Sequence, residues 1–218
     1  MLGLAIHTSS PQLGLSLQSV DPETELASSP VSHYRVWDLG REVSSQLHVK
    51  LVEFVKSHCW QDLSFVAVAI GPGGFTGTRI GVVAARTLAQ QLNIPLFGVS
   101  SLAALAAQHV AQHGLDDDAD ISVMMPAKRE AVFGAVYRWQ PSGDLQAIRP
   151  DEVLPAQAWH QALERWPRAV TSVTVPAGEG TAASVQGVMQ LAMVRWRLGQ
   201  RPKWTDVMPF YGQHPVQR

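Results

Sequence analysis

The sequence predicts an α/β protein: a mixed five-stranded sheet with helices on both faces, followed by a smaller second α/β lobe. Three observations lead there. The chain opens with three short apolar or alternating segments whose connections are too brief for crossovers. Helical and strand-like segments then alternate. The charge balance also changes sign near residue 120: residues 1–120 hold six basic and eleven acidic side chains, residues 121–218 eleven and seven.

Leu2–Ile6 reads as a buried strand, and Gln12–Gln18 sets Leu13, Leu15 and Leu17 against Gly14 and Ser16. Thr8-Ser9-Ser10-Pro11 supplies the turn between them,. A Pro/Ser/Glu-rich loop, Asp21–Pro30, leads to a third strand, Val31–Trp37. Short connections make these three antiparallel neighbours. Val43, Leu47, Leu51, Val55 and Cys59 then recur every four residues beside Phe54, the stripe of a helix,. Ser64–Ile70 is a strand, Gly71–Gly77 a loop, Arg79–Leu92 a helix stopped by Asn93 and Pro95, and Leu96–Val99 a strand,. Ser100 or Ser101 caps a helix that ends at Gly114,. This order, three strands, then two helix–strand crossovers and a further helix, is that of the actin-like kinase superfamily. An ordinary doubly wound domain does not begin with two hairpins.

Asp116–Asp120 reads as a solvated acidic linker, so the lobes are expected over 1–115 and 121–218,. In the second, Ile121–Pro126, Ala131–Trp139 and Arg168–Val175 read as strands and Ala156–Trp166 as a helix. After Gly178-Glu179-Gly180, Thr181–Leu198 carries helical spacing and is expected to pack back on the first lobe. Asp206–Arg218, with Pro209 and Pro215, reads as extended.

Composition narrows the function. The 218 residues are 46% hydrophobic and 16% charged, which argues against disorder, and a net charge of −1 excludes a general polyanion coat,. One cysteine allows no intramolecular disulfide and no multi-cysteine zinc site,. No basic residue precedes Arg35, so a signal peptide's charged start is missing,. The charge-free stretch Thr87–Leu115 is interrupted by Gln90, Gln91, Asn93, Pro95 and Gly98, unlike a membrane span,. A cytoplasmic location is expected.

Gly71-Pro72-Gly73-Gly74-Phe75-Thr76-Gly77-Thr78-Arg79-Ile80-Gly81, between a buried strand and a helix, has two readings. Its amides could hold an anion, with Gly73, Gly74, Thr76 and Gly77 as candidates. Alternatively, the glycines permit tight helix–sheet packing. The segment is neither a Walker A loop nor a complete dinucleotide fingerprint.

The run Gly71–Leu105, with Leu4-Ala5-Ile6-His7-Thr8-Ser9, closely resembles the bacterial TsaB (YeaZ) family, whose loop reads G-P-G-S/G-F-T-G-x-R-I-G. Met124-Pro126, Glu130-Val136-Tyr137 and Pro209-Phe210-Tyr211 extend the likeness more loosely. The resemblance implies an actin-like fold and a non-catalytic subunit. Its implied partners are a TsaD-like paralogue and a TsaE-like ATPase, which together make threonylcarbamoyladenosine beside the tRNA anticodon. Any ATP would be bound by those partners, and no cofactor is expected on this chain.

An actin-like ATPase places an Asp at the end of its first strand, as many TsaB relatives do; here stands His7. A neutral imidazole suits a hard oxygen-seeking cation poorly, and His7 reads as a strand-end histidine with its hydrogen bonds satisfied. His109 and His113 have metal-ligand spacing without a third ligand,. Where TsaD-like paralogues carry an H-x-x-x-H pair, the resemblance puts Ser101 and Leu105. Ser9, Ser10, Ser100 and Ser101 sit at turns or caps, and Cys59 follows an apolar stripe,. No metal site and no catalytic residue is assigned.

The helix Arg79–Leu92 is apolar nearly all round, more than one sheet face can hide,. Together with the helix before it, it reads as a subunit interface. By the resemblance, the face is assigned to Leu47, Leu51, Phe75, Thr76, Arg79, Val83 and Arg86, and meets a TsaD-like paralogue, or a second copy when that partner is absent. Five of the seven Trp (139, 159, 166, 196, 204) lie in the basic half, as core packing or as stacking platforms for tRNA,. The rival reading is an actin-like small-molecule kinase or ATPase active by itself.

Overall fold

A computed structural model describes residues 1–20, 32–56, 58, 60–176, 180–210 and 212. The loop 21–30, Val31, Cys59, Gly178, Glu179 and Tyr211, on which some sequence readings fell, lie outside the described residues.

The first sheet contains β1 (Leu2–His7), β2 (Gln12–Ser19), β3 (Ser32–Asp38), β4 (Leu63–Ala69) and β5 (Leu96–Val99), in the order β3-β2-β1-β4-β5. The β1–β2 and β2–β3 pairs are antiparallel, whereas β4 lies parallel to both β1 and β5. Strand alternation divides the side chains between the faces. Leu2, Leu4 and Ile6 join Leu47, Leu51 and Val55 of α1 (Val43–Val55) and Val82, Ala85 and Ala89 of α2 (Phe75–Leu92) in one core. Ala5, Phe65, Ala67 and Phe97 face α3 (Ser101–His113) and α5 (Val185–Arg197) in another.

The second sheet is β8-β7-β6-β9, formed by β6 (Asp120–Pro126), β7 (Ala131–Trp139), β8 (Leu145–Pro155) and β9 (Val170–Thr174). Ile121, Val123, Ala135 and Tyr137 pack on the other side of α3 and α5, in the same core as Ala5 and Phe65. Val132 and Val136 point outward to Trp159 of α4 (Ala156–Glu164). The layers therefore run α1/α2, first sheet, α3/α5, second sheet, α4. Trp159 is thus a core residue.

Four sequence expectations are corrected. α2 begins at Phe75 rather than Arg79: a first turn containing Gly77 reads as loop by composition, yet the Thr78 hydroxyl closes it on the Gly74 carbonyl at 2.9 Å. β8 was not anticipated. It is an edge strand with bulged pairing to β7, a position that tolerates Pro150 and polar side chains without apolar alternation,. The helix Thr181–Leu198 is instead a 3-10 turn, Ala182–Ser184, leading into α5. Finally, Asp120 is not a linker residue in water. It is buried at the start of β6, paired with Arg138 at 2.8 Å and accepting from Trp166 Nε1 at 3.0 Å.

Beyond α5 the chain crosses the outer edge of β5. The Leu96 amide donates to the Pro202 carbonyl at 3.2 Å, Val207 is buried beside Gly98, and the Phe210 amide reaches the Ile70 carbonyl at 2.7 Å. This strap occupies a donor at Leu96 and an acceptor at Ile70 that would otherwise stand open,.

Candidate functional site

Two places bear on function: the strand ends around the glycine loop, and the outer face of α1 and α2. At the first, the glycines admit the β1–β2 turn. A Cβ on Gly73 would lie 2.1 Å from the Ser9 carbonyl oxygen, and one on Gly77 2.2 Å from that of Thr8. The Gly74 amide donates to the Ser9 carbonyl at 2.6 Å, and the Thr8 hydroxyl to the Gly77 carbonyl at 2.8 Å. Of the two readings of the loop, the geometry serves close packing. The Ser9 carbonyl also takes the Gly74 amide, one of the donors that the anion reading of Gly73, Gly74, Thr76 and Gly77 needs.

His7 lies on the α3/α5 side of β1 and is fully buried. Neither ring nitrogen has a hydrogen-bond partner among the described residues, and the same holds for the buried Ser9 and Ser101 hydroxyls. The expected satisfied histidine is therefore corrected. Burial favours the neutral ring and lowers its pKa to about 4,. A neutral imidazole here supplies neither the carboxylate that orients a hydrated cation nor a charge for phosphate.

Sequence reasoning missed one polar network. Ser100 caps α3, its Oγ accepting from the Leu102 and Ala103 amides at 3.1 and 3.3 Å. The same hydroxyl donates to Asp151 on β8, and the Tyr137 hydroxyl on β7 donates to the other carboxylate oxygen. Burial raises the Asp151 pKa. Burial, then the neighbouring carboxylate, pushes the Tyr137 phenol well above its usual range. The network joins the α3 terminus to the second sheet. Its signal was confined to Tyr137 and the cap, because Asp151 sits in the unanticipated strand.

The outer face differs in kind. Between α1 and α2 runs an apolar groove of about 440 Å³, lined by His48, Leu51, Arg79, Ile80, Val83, Ala84, Thr87, Leu88 and Gln91. Val83 is 61% exposed and Val52 59%, with Val49 and Phe75 also exposed. Thr76 and Arg79 are exposed at the start of α2, and the Arg79 guanidinium lies 3.9 Å over the Phe75 ring. Arg86 is half-buried towards the strap, 5.6 Å over Trp204. Leu47 and Leu51 depart from their assignment to this face: both are buried in the core beneath it, Leu47 completely, since the stripe recurring every four residues is the side of α1 that meets the sheet. Leu51 still forms the groove floor.

His109 and His113 stack at 4.3 Å, and His113 Nδ1 approaches the His109 carbonyl at 3.1 Å. Among the described residues no group of three or more His, Cys, Asp or Glu side chains is placed to hold a metal ion. Among them, too, no helix is long and apolar enough to cross a membrane.

Fold and faces together define an actin-like protein whose strand ends are closed by packing and whose first lobe carries an apolar helical face. The family model described as "TsaD: tRNA N6-adenosine threonylcarbamoyltransferase" matches residues 50–169, more than half of the chain. TsaB of Bacillus subtilis is 41% identical over 110 residues, 50% of this chain and 45% of that protein. TsaB of Escherichia coli is 28% identical over 104 residues, 48% of this chain and 44% of that protein. The chain thus spans about half the length of the curated relatives it matches. The solved YeaZ of Pseudomonas aeruginosa shares the fold, with a TM-score of 0.71 at 22% identity over 97% of this chain and all of that one. The chain belongs to the TsaD-type family, in its TsaB (YeaZ) branch.

Proposed function

We propose that the chain is a non-catalytic partner subunit in forming threonylcarbamoyladenosine on tRNA, docking the α1–α2 face against a homologous helix pair of a TsaD-like paralogue. A TsaE-like ATPase joins the assembly, and tRNA is engaged through the complex in the cytoplasm. The carrying observation is the groove with Val83 at its lip, 61% exposed. Large apolar side chains left in water at a contiguous groove suit a subunit contact. Neutral His7 and the carbonyl-filled glycine loop support the non-catalytic part. The same reading divides the chain into lobes 1–115 and 121–218, with α5 returned to the first.

Val83→Asp tests the docking. A carboxylate buried without a partner costs a few kcal/mol, so association with the paralogue weakens at least about 100-fold. Circular dichroism and the unfolding midpoint stay close to wild type, because the side chain is exposed. Unchanged association measured by light scattering would overturn the assignment. Isothermal titration of the isolated chain with ATP and Mg²⁺ is expected to give no binding heat; turnover of nucleotide would favour the kinase reading. In cells, depletion of the chain lowers threonylcarbamoyladenosine in bulk tRNA, measured by mass spectrometry of nucleosides.

A further inference from the structure

We propose that the end of α5 and the segment after it form a surface for the phosphate backbone of RNA, which rests on the function proposed above and adds where RNA touches this subunit. Between Glu179 and Asp206 the sequence has four basic residues, Arg195, Arg197, Arg201 and Lys203, and no acidic one. Arg195 is committed to Asp144 of the second lobe at 3.0 Å. The other three lie in the exposed run that closes α5 and begins the strap.

The surface is preformed. Trp196 packs on Phe65 at 5.4 Å between ring centroids, and the Arg201 guanidinium lies 3.4 Å over the Trp196 ring. Arg201 Nη1 also donates to the Trp196 and Gln200 carbonyls at 2.9 and 2.7 Å. A core phenyl, an indole and a planar cation are thus stacked outward, with the rotamer freedom of the arginine already spent. Capping α5 accounts for that one nitrogen of Arg201. No hydrogen bond or ion pair among the described residues accounts for the Lys203 ammonium, which is exposed on a backbone pinned at Pro202 by the Leu96 amide. Arg86 reaches the same strap from α2, over Trp204, so the basic strip borders the helix that carries the groove.

Cations set along a chain segment, rather than round a pocket, fit a linear polyanion. The flat guanidinium adds a fork, which phosphate and carboxylate both use, and a face for a base, which an acidic protein surface does not use. The geometry therefore favours RNA over an acidic protein.

Fluorescence anisotropy of a labelled tRNA transcript with the full isolated chain at about 50 mM salt tests this without any partner. Failure here would thus leave the docking reading standing. Arg197→Glu with Arg201→Glu and Lys203→Glu is expected to weaken binding at least about tenfold. The milder pair Arg201→Ala and Lys203→Ala is expected to lower the slope of log Kd against log salt by about one to two, near 0.9 for each duplex phosphate no longer neutralised. Circular dichroism checks that both variants keep the fold. The inference is overturned if the wild-type chain does not bind the transcript, if both variants bind it as wild type does, or if polyglutamate binds the same residues as tightly as RNA.

Discussion

His7 shows how much one residue can carry without reacting. Folded, it stays neutral down to about pH 4, whereas in the unfolded chain it takes up a proton near the ordinary histidine value of 6.5. The unfolded state therefore binds more protons between those values, and stability falls as pH drops through that window. The loss approaches about 3 kcal/mol at 1.36 kcal/mol per pKa unit. Urea unfolding near pH 7 and at about pH 4.5 should show wild type losing about 2–3 kcal/mol more than His7→Leu, which has no ring to protonate. Equal losses would show that His7 is hydrated in the folded state. Asp120 is shifted in the same direction, so it too loses stability as pH falls, but there the fold holds the charged form rather than the neutral one,. Hydrogen bonds from Arg138 and Trp166 hold its carboxyl below the usual range against the desolvation that would raise it. Asp120→Asn should cost about 1–3 kcal/mol in urea unfolding near pH 7, by weakening those bonds.

Among the elements, legibility followed periodicity. The stripe in α1 was visible because it has one buried face at one repeat, and the alternation of β2 because leucines take one face and small or polar residues the other, although both faces are buried. β8 was hidden because an edge strand with bulges has no repeat to read, and with it went Asp151 and the interlobe network. The face on α2 was legible from its excess of apolar residues. Its supports Leu47 and Leu51 were misplaced because a sequence stripe marks the buried side of a helix but does not say which neighbour buries it. The glycine loop was legible as a motif only. Whether its amides face a ligand or a turn depends on the Thr8 and Ser9 carbonyls, some 70 positions away in the chain. Ser100 offers the test at this scale: Ser100→Ala removes both the α3 cap and a donor to Asp151. The expected cost is about 1–2 kcal/mol in thermal or urea unfolding.

At the scale of the molecule, α3 and α5 form a layer covered on both sides by sheets. Their crossing is close enough that a Cβ on Gly187 would meet the Ala104 carbonyl oxygen at 2.0 Å. Gly187→Ala should therefore destabilise both lobes together, by at least about 2 kcal/mol, and calorimetry should show one transition shifted rather than two separating. The late position of α5 in the sequence has a further consequence during synthesis on the ribosome. Ala5, Phe65 and Ala67 emerge early, but the helix that helps cover them is translated only at residues 185–197. Until residues 185–197 are made, the growing polypeptide must carry part of that greasy surface uncovered, which makes the nascent chain a natural client for holding chaperones.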